Sequence, residues 1–390
     1  MWTVYLPVAP LSEVHPRRRL SSVTLVERRS DQALLPPGEP VRLVDEAGRA
    51  IPGAPASRLR PEELPALYRA LVAGRRFDRQ ATALTRQGRL AVYPSSNGQE
   101  ASQVGAVLAL RPTDWLFPTY RESVALVTRG IDPVEVLTLF RGDWHLGYDP
   151  RAHRAAPQST PLATQALHAV GLADAARRRG DDLVALAFVG DGATSEGDFH
   201  EALNFASVWR APVVFLVQNN HWAISVPLDK QTHAPTLAHK GIGYGMPGRR
   251  VDGNDVLAVH AIVSDAAEHA RGGGGPVLIE AVTYRMDGHT NADDPGRYRG
   301  AGELEDWRHR DPVERFERHL RGLGLLDDQG VALVAAEAEE LAADLRRRIV
   351  PESEGDPMEI FAHVYAEPTS QLREQAEQLA AELDAEREEG

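Results

Sequence analysis

A chain of 390 residues, 43% of them hydrophobic, has the length and apolar content to bury one large core. Its formal net charge of −13 argues against a nucleic-acid partner, and the absence of cysteine excludes disulfides, thiolate metal sites and cysteine nucleophiles. No apolar run approaches the roughly 20 residues of a membrane-spanning helix, and MWTVYLPVAP lacks the charged start of a secretory signal, so no membrane partner is expected.

Residues 1–40 carry no sustained period, end on Pro36-Pro37-Gly38, and read as an irregular extension. Arg17 to Ser30 has the arginine and serine content of a transit peptide, but Glu13, Glu27 and Asp31 weigh against one. The expected location is therefore the cytoplasm, as in bacteria, with the mitochondrial matrix the alternative if that stretch is a transit peptide. VRLVDEAG alternates like a short strand or hairpin edge. From Pro61 to Arg86, Leu64, Leu67, Tyr68, Leu71 and Val72 form one helical stripe. A second helix is predicted from near Gly98, with Glu100 in the first turn, where negative charge suits the helix dipole. Tyr120-Arg121 precedes an apolar helical run ending at Gly130; the pair fits an amphipathic surface as well as an anion site. Trp144 to Gln158 reads as a loop whose His145 and His153 lack a third zinc ligand at motif spacing. Ser159 to Gln165, STPLATQ, leads into an alanine-rich helix and on its own is ordinary capping chemistry.

The centre of the chain is strand, glycine turn, helix, strand. Leu183 to Val189 is an apolar run that ends in Gly190-Asp191-Gly192, where glycines can take positive φ and leave room for a ligand. The helix that follows places Phe199, Leu203 and Ala206 on one face, with Ser195 and Asp198 as a capping pattern. Val213 to Val217 is β-branched and apolar, like a strand covered on both faces, and Asn219-Asn220 follows it. A right-handed crossover puts Asp191 and the Asn pair on one sheet edge. A carboxylate, a carboxamide and a backbone carbonyl there are hard donors suited to Mg²⁺ completed by phosphate oxygens, although GDG and NN also suit plain turns. Beyond lie a further strand signal, a helix from about Asp255 and a strand at Val277 to Thr283. Gly272 to Gly275 connect helix to strand, the reverse of a P-loop. The loop DGHTNADDPGRYR sets His289 beside Arg285 and Asp293-Asp294, where an imidazole with its usual pKa near 6.5 exchanges protons at neutral pH. After Trp307 the chain is helical and charged, with Leu372, Ala376, Leu379 and Leu383 on one face. The predicted fold class is α/β: a parallel sheet with helices on both faces over residues 41–330, and a helical region over 331–390 for subunit contacts.

Twenty-six residues lie between Gly192 and Asn219, and a GDG followed at that distance by NN resembles the thiamin diphosphate motif. GDGATSEGDFHEALNFA, QNNHWAIS and GQEA together resemble the α subunit of the E1 component of 2-oxo acid dehydrogenase complexes. STPLATQ and VYAEPTSQLREQ are most similar to the branched-chain type, with the pyruvate type next. The resemblance implies thiamin diphosphate and Mg²⁺ as cofactors in a thiamin diphosphate-binding fold. Asp191, Asn220 and the carbonyl of Trp222 would ligate Mg²⁺. Tyr120, Arg121, Gly190, Gly192, Ala193, Gln218 and His289 would line the diphosphate, with His289 as the catalytic residue. Ile224 would wedge between the cofactor rings, and Thr160 and Leu162 would touch the aminopyrimidine. Ser159, Pro161, Thr164 and Gln165 would supply oxygens to K⁺. Gln218 departs from the arginine of the mammalian branched-chain subunit, and Trp222 from its tyrosine; Thr290 stands at the place of a phosphorylated serine. The family completes its site with a β subunit in an α2β2 tetramer, which supplies a glutamate domain for which this chain is too short. The implied activity is decarboxylation of a 2-oxo acid and acyl transfer to the lipoyl group of E2. Two other classes fit the bare motif: a Mg²⁺-dependent nucleotide or phosphoryl-transfer protein, and a non-catalytic scaffold.

Overall fold

The computed structural model describes residues 34–55, 57–142, 146–349 and 356–389. Most of the expected extension, the Arg17 to Ser30 stretch and His145 lie outside them. Five strands, β1 (Trp115–Phe117), β2 (Ala185–Gly190), β3 (Val213–Asn219), β4 (Gly248–Asp252) and β5 (Val277–Val282), form one sheet in the order β1-β2-β3-β5-β4, every neighbouring pair parallel. Register pairs Gly190 with Gln218 and Asn219 with Val282, so the C-terminal ends of β2, β3 and β5 lie side by side.

The helices are α1 (Leu64–Arg86), α2 (Glu100–Leu108), α3 (Ser123–Thr128), α4 (Pro133–Arg141), α5 (Thr164–Arg179), α6 (Gly197–Trp209), α7 (Val256–His269), α8 (Ala301–Arg308), α9 (Pro312–Gly322), α10 (Asp328–Arg348) and α11 (Ser370–Glu389). Side chains alternate across the strands, which splits the core in two. Ala185, Ala187, Val189, Val213, Phe215 and Val217 pack with Ala169, Ala173, Phe199, Leu203 and Ala206 of α5 and α6. Leu186, Phe188, Val214, Leu216 and Ile279 pack on the opposite face with Leu71, Phe77, Val104, Val259 and Val263 of α1, α2 and α7. The predicted α/β class, with helices covering both faces, is borne out. Among the described residues no helix is long and apolar enough to cross a membrane.

Several local expectations change. Neither Gly190 nor Gly192 takes positive φ. Gly192 is needed for closeness instead: a Cβ there would meet the Ala223 Cβ at 2.6 Å. The Ser195–Asp198 cap does not form, because Gly192–Ser195 is a separate 3-10 turn and α6 starts after Glu196, which makes no side-chain cap. Glu100 does open α2, but it meets more than the helix dipole: it is buried, pairs with Arg75 and accepts from the Gly98 amide at 2.9 Å. The 144–158 loop contains one helical turn, Pro150–His153. VRLVDEAG forms a hairpin edge, one of its two expected forms, through the antiparallel bridge Val44 to Ala50 and a parallel bridge Val41 to Val251, and not a full strand. α10 (Asp328–Arg348) lies along α1, adding Val334 and Leu345 to its core.

Candidate functional site

One cavity of about 600 Å³ opens at the C-terminal ends of β2 and β3. It is lined by Tyr120, Arg121, Thr160, Leu162, Gly190, Asp191, Gly192, Ala193, Gln218, Asn220, Trp222, Ile224 and His289. Residues from five stretches of sequence are thus brought together, and the size suits a cofactor.

β2 delivers Asp191, only 2% exposed, into the floor. The turn after it is closed by Thr194, whose hydroxyl donates to the Asp191 carbonyl at 2.7 Å and accepts from Lys240 Nζ at 2.9 Å. The Asp191 carboxylate accepts a neutral amide, Gln231 Nε2, at 3.1 Å. Burial raises its pKa, while the Gln231 hydrogen bond, nearby backbone donors and Arg285 oppose the rise. Asn220, past the end of β3, accepts the Trp222 amide on Oδ1 at 3.1 Å. Trp222–Ala223 pairs with Val226–Pro227 in a short hairpin. His221 (φ +70°) and Ile224 (φ +56°) both occupy the left-handed region, uncommon for β-branched isoleucine, and Ile224 is 54% exposed.

The opposite wall is cationic. Arg121, at the start of α3, donates to the Ser95 carbonyl (2.8 Å) and the His289 carbonyl (3.0 Å) and meets His289 Nδ1 at 3.1 Å. Its guanidinium lies 5.5 Å from the centroid of the Tyr120 ring. Arg285, fully buried just past β5, reaches His289 Nδ1 (3.3 Å), the Ile224 carbonyl (2.8 Å), the Tyr298 hydroxyl (2.9 Å) and, at 3.4 Å, the Trp222 carbonyl. Asp293 accepts from the His289 amide at 2.6 Å and from Tyr298 Oη. Burial, then Arg121, then Arg285 push the His289 imidazole down to about 4. His289 is therefore neutral at pH 7, contrary to the titration near 6.5 expected from sequence. Two guanidinium donors at Nδ1 make that nitrogen the acceptor and leave the proton on Nε2.

Among the described residues no cluster of three or more His, Asp or Glu could hold a metal alone. A cation here would take Asp191, Asn220 and a carbonyl, with further oxygens from an anionic ligand, a donor set that suits Mg²⁺. In the 159–165 segment Ser159 Oγ donates to the Pro161 carbonyl (3.0 Å) and Gln165 Nε2 to the Phe188 carbonyl (2.7 Å). Gln165 Oε1 is buried without a hydrogen-bond donor, an acceptor free for a cation. Thr164 starts α5 on the far side of Ala163, which is itself at φ +64°.

The dehydrogenase E1 component family matches residues 68–348. The chain belongs to that family. It is 51% identical over 346 residues to the 3-methyl-2-oxobutanoate dehydrogenase subunit alpha of Mycobacterium tuberculosis, covering 88% of this chain and 94% of the relative. The pyruvate dehydrogenase E1 component subunit alpha of Acholeplasma laidlawii is 38% identical, covering 86% and 97%, and that of Staphylococcus aureus 40% identical, covering 74% and 79%. The expectation of an E1 α chain, more similar to the branched-chain than to the pyruvate type, is borne out. Within this E1 chain, sequence reasoning missed Gln99, Glu122 and Gln231, and Arg285 appeared only as a neighbour of His289. Gln99 did lie inside a quoted motif, GQEA, and Glu122 directly follows Tyr120-Arg121; Gln231 carried no signal.

Proposed function

We propose that the chain is the α half of a thiamin diphosphate-dependent dehydrogenase that decarboxylates branched-chain 2-oxo acids and passes the acyl group to the lipoyl group of an E2 partner. The observation that carries this reading is the buried Asp191 beside Asn220, facing the Arg121, Arg285 and His289 wall across one cavity. Such a site binds a divalent cation and an anionic diphosphate together. Mg²⁺ is assigned to Asp191, Asn220 Oδ1 and the Trp222 carbonyl, and the diphosphate to Tyr120, Arg121, Gly190, Gly192, Ala193, Gln218 and His289. Thiamin diphosphate, when bound, supplies the carbanion and electron sink for decarboxylation. The chain's own part is binding and orientation. Ile224 would lie against the cofactor rings, Thr160 and Leu162 would line the aminopyrimidine side, and His289 would offer its Nε2–H as a hydrogen-bond donor to negative charge. A K⁺ ion among Ser159, Pro161, Thr164 and Gln165 answers the open Gln165 Oε1.

The relatives named above are α subunits, and on that ground a β subunit is assigned as the partner, in an α2β2 assembly. Val92, Pro94, Leu139 and Phe140 add apolar lining to the cavity, which suits a branched side chain better than the methyl of pyruvate. The test is reconstitution with the β partner, Mg²⁺ and thiamin diphosphate. Branched 2-oxo acids should give the higher kcat/KM than pyruvate, Asp191→Ala should abolish turnover and Mg²⁺-dependent cofactor binding, and the α chain alone should be inactive. Full activity of Asp191→Ala, or decarboxylation by the α chain alone, would refute the assignment.

A further inference from the structure

Four buried side chains run in line from the edge of β3 to the starts of α2 and α3. The Trp222 amide donates to Asn220 Oδ1 (3.1 Å), Asn220 Nδ2 to Gln99 Oε1 (2.8 Å), Gln99 Nε2 to Gln218 Oε1 (3.4 Å) and Gln218 Nε2 to Glu122 Oε1 (2.6 Å). From the far end the Thr119 amide donates to Glu122 Oε2 at 2.6 Å, and the Thr119 hydroxyl meets the same oxygen. None of the four residues is more than 6% exposed, although all four line the cavity, so an unmatched donor or acceptor in the run is costly.

A carboxamide has one accepting end and one donating end, so it passes a hydrogen bond along in a single direction. A backbone amide can only donate. Both ends of this run are backbone amides pointing inward, Trp222 and Thr119. The two directions must therefore meet at one group that accepts on both sides, and among protein side chains an ionised carboxylate does this. With Glu122 in that place, every amide in the run has one consistent orientation. Removing the carboxylate leaves two donors facing each other somewhere in the run. Adding a second leaves two acceptors facing each other.

We propose that Glu122 is a positioning residue which, through Gln218 and Gln99, holds the Asn220 amide with its oxygen toward the cavity, and that the run tolerates one carboxylate, neither none nor two. The part concerning the metal rests on the reading of Asn220 as a Mg²⁺ ligand; the rule of one carboxylate does not.

The test uses the α chain assembled with its β partner and compares Glu122→Gln, Gln99→Glu and the double variant, which are near-isosteric. The double variant has the charge of the native chain and moves the carboxylate two links along, from position 122 to position 99. There the carboxylate accepts from Asn220 on one side and from a reversed Gln218 amide on the other, while the new carboxamide beside Thr119 accepts from Thr119 and donates to Gln218. Tm is measured without metal or cofactor, and Mg²⁺ affinity by calorimetry with thiamin diphosphate present. Each single variant should lose several degrees of Tm and weaken Mg²⁺ at least about 10-fold, and the double should recover most of both. If a single variant fails to assemble, recovery of assembly in the double is the supporting result. Additive losses in the double, its failure to assemble, or a native Tm and Mg²⁺ affinity in Glu122→Gln would overturn the proposal. If the native assembly takes up no Mg²⁺ that Asp191→Ala removes, the metal reading fails, while recovery of Tm in the double still upholds the run itself.

Discussion

Ile224 shows how much a single residue can carry against its own preference. A β-branched side chain at φ +56° costs on the order of 1–3 kcal/mol, and with 54% of its surface exposed it recovers little of that by burial. Glycine relieves that strain, so Ile224→Gly should not lower Tm, whereas cofactor affinity should fall. A clear loss of Tm with unchanged cofactor binding would mean that the backbone there serves packing instead. His289 makes a second case, through its charge. Its folded pKa of about 4 lies below the usual value near 6.5. The unfolded chain therefore binds the proton first, and stability is lost as pH falls from about 6.5 toward 4. His289→Gln removes that contribution, so on going from pH 7 to 4.5 the native protein should lose more Tm than the variant. Equal losses would show that His289 titrates normally. The histidine was legible in the sequence, but its protonation was not, because burial is a tertiary property and Arg121 comes from 168 positions away.

The central turn and its hairpin act as one element. Gly192 lies close enough to Ala223 that an added Cβ would fall 2.6 Å from the Ala223 Cβ. Gly192→Ala must therefore push apart the turn carrying Asp191 and the hairpin carrying Trp222 and Ile224. A destabilisation of about 1–3 kcal/mol by denaturant midpoint is expected, together with weaker metal-dependent cofactor binding. An unchanged midpoint and affinity would show that the hairpin moves freely. Of the two uses the sequence offers for this glycine, positive φ is not taken; the missing side chain is what counts, but the room it leaves admits a segment thirty-one residues away. The Ser195 cap failed likewise, since a 3-10 turn intervened before α6, and local pattern does not reveal where a tight turn hands over to a helix.

At the scale of the molecule, α11 carries an apolar stripe that we propose meets the β partner. Leu372, Ala376, Leu379 and Leu383 remain half-buried on one side of an otherwise exposed helix that rests against the Pro357–Phe361 turn. Leu379→Asp should leave helical content by circular dichroism unchanged and prevent co-purification with the β partner. Normal assembly would assign the stripe to the chain itself.

Sequence alone determined the period of the main helices and the two-sided parallel sheet, because 3.6-residue apolar patterns and short continuous apolar runs are local. It also located Asp191 and Asn220 just past the ends of two parallel strands, where the structure places them on one cavity. Tertiary structure decided the electrostatics and the supporting residues. Arg285 and Arg121 converge on His289, and Gln99 and Glu122 reach Asn220 and Gln218, only after β2, β3 and β5 align and α2 and α3 start beside them. Charge, burial and hydrogen-bond direction depend on such distances through space, which no spacing along the chain contains.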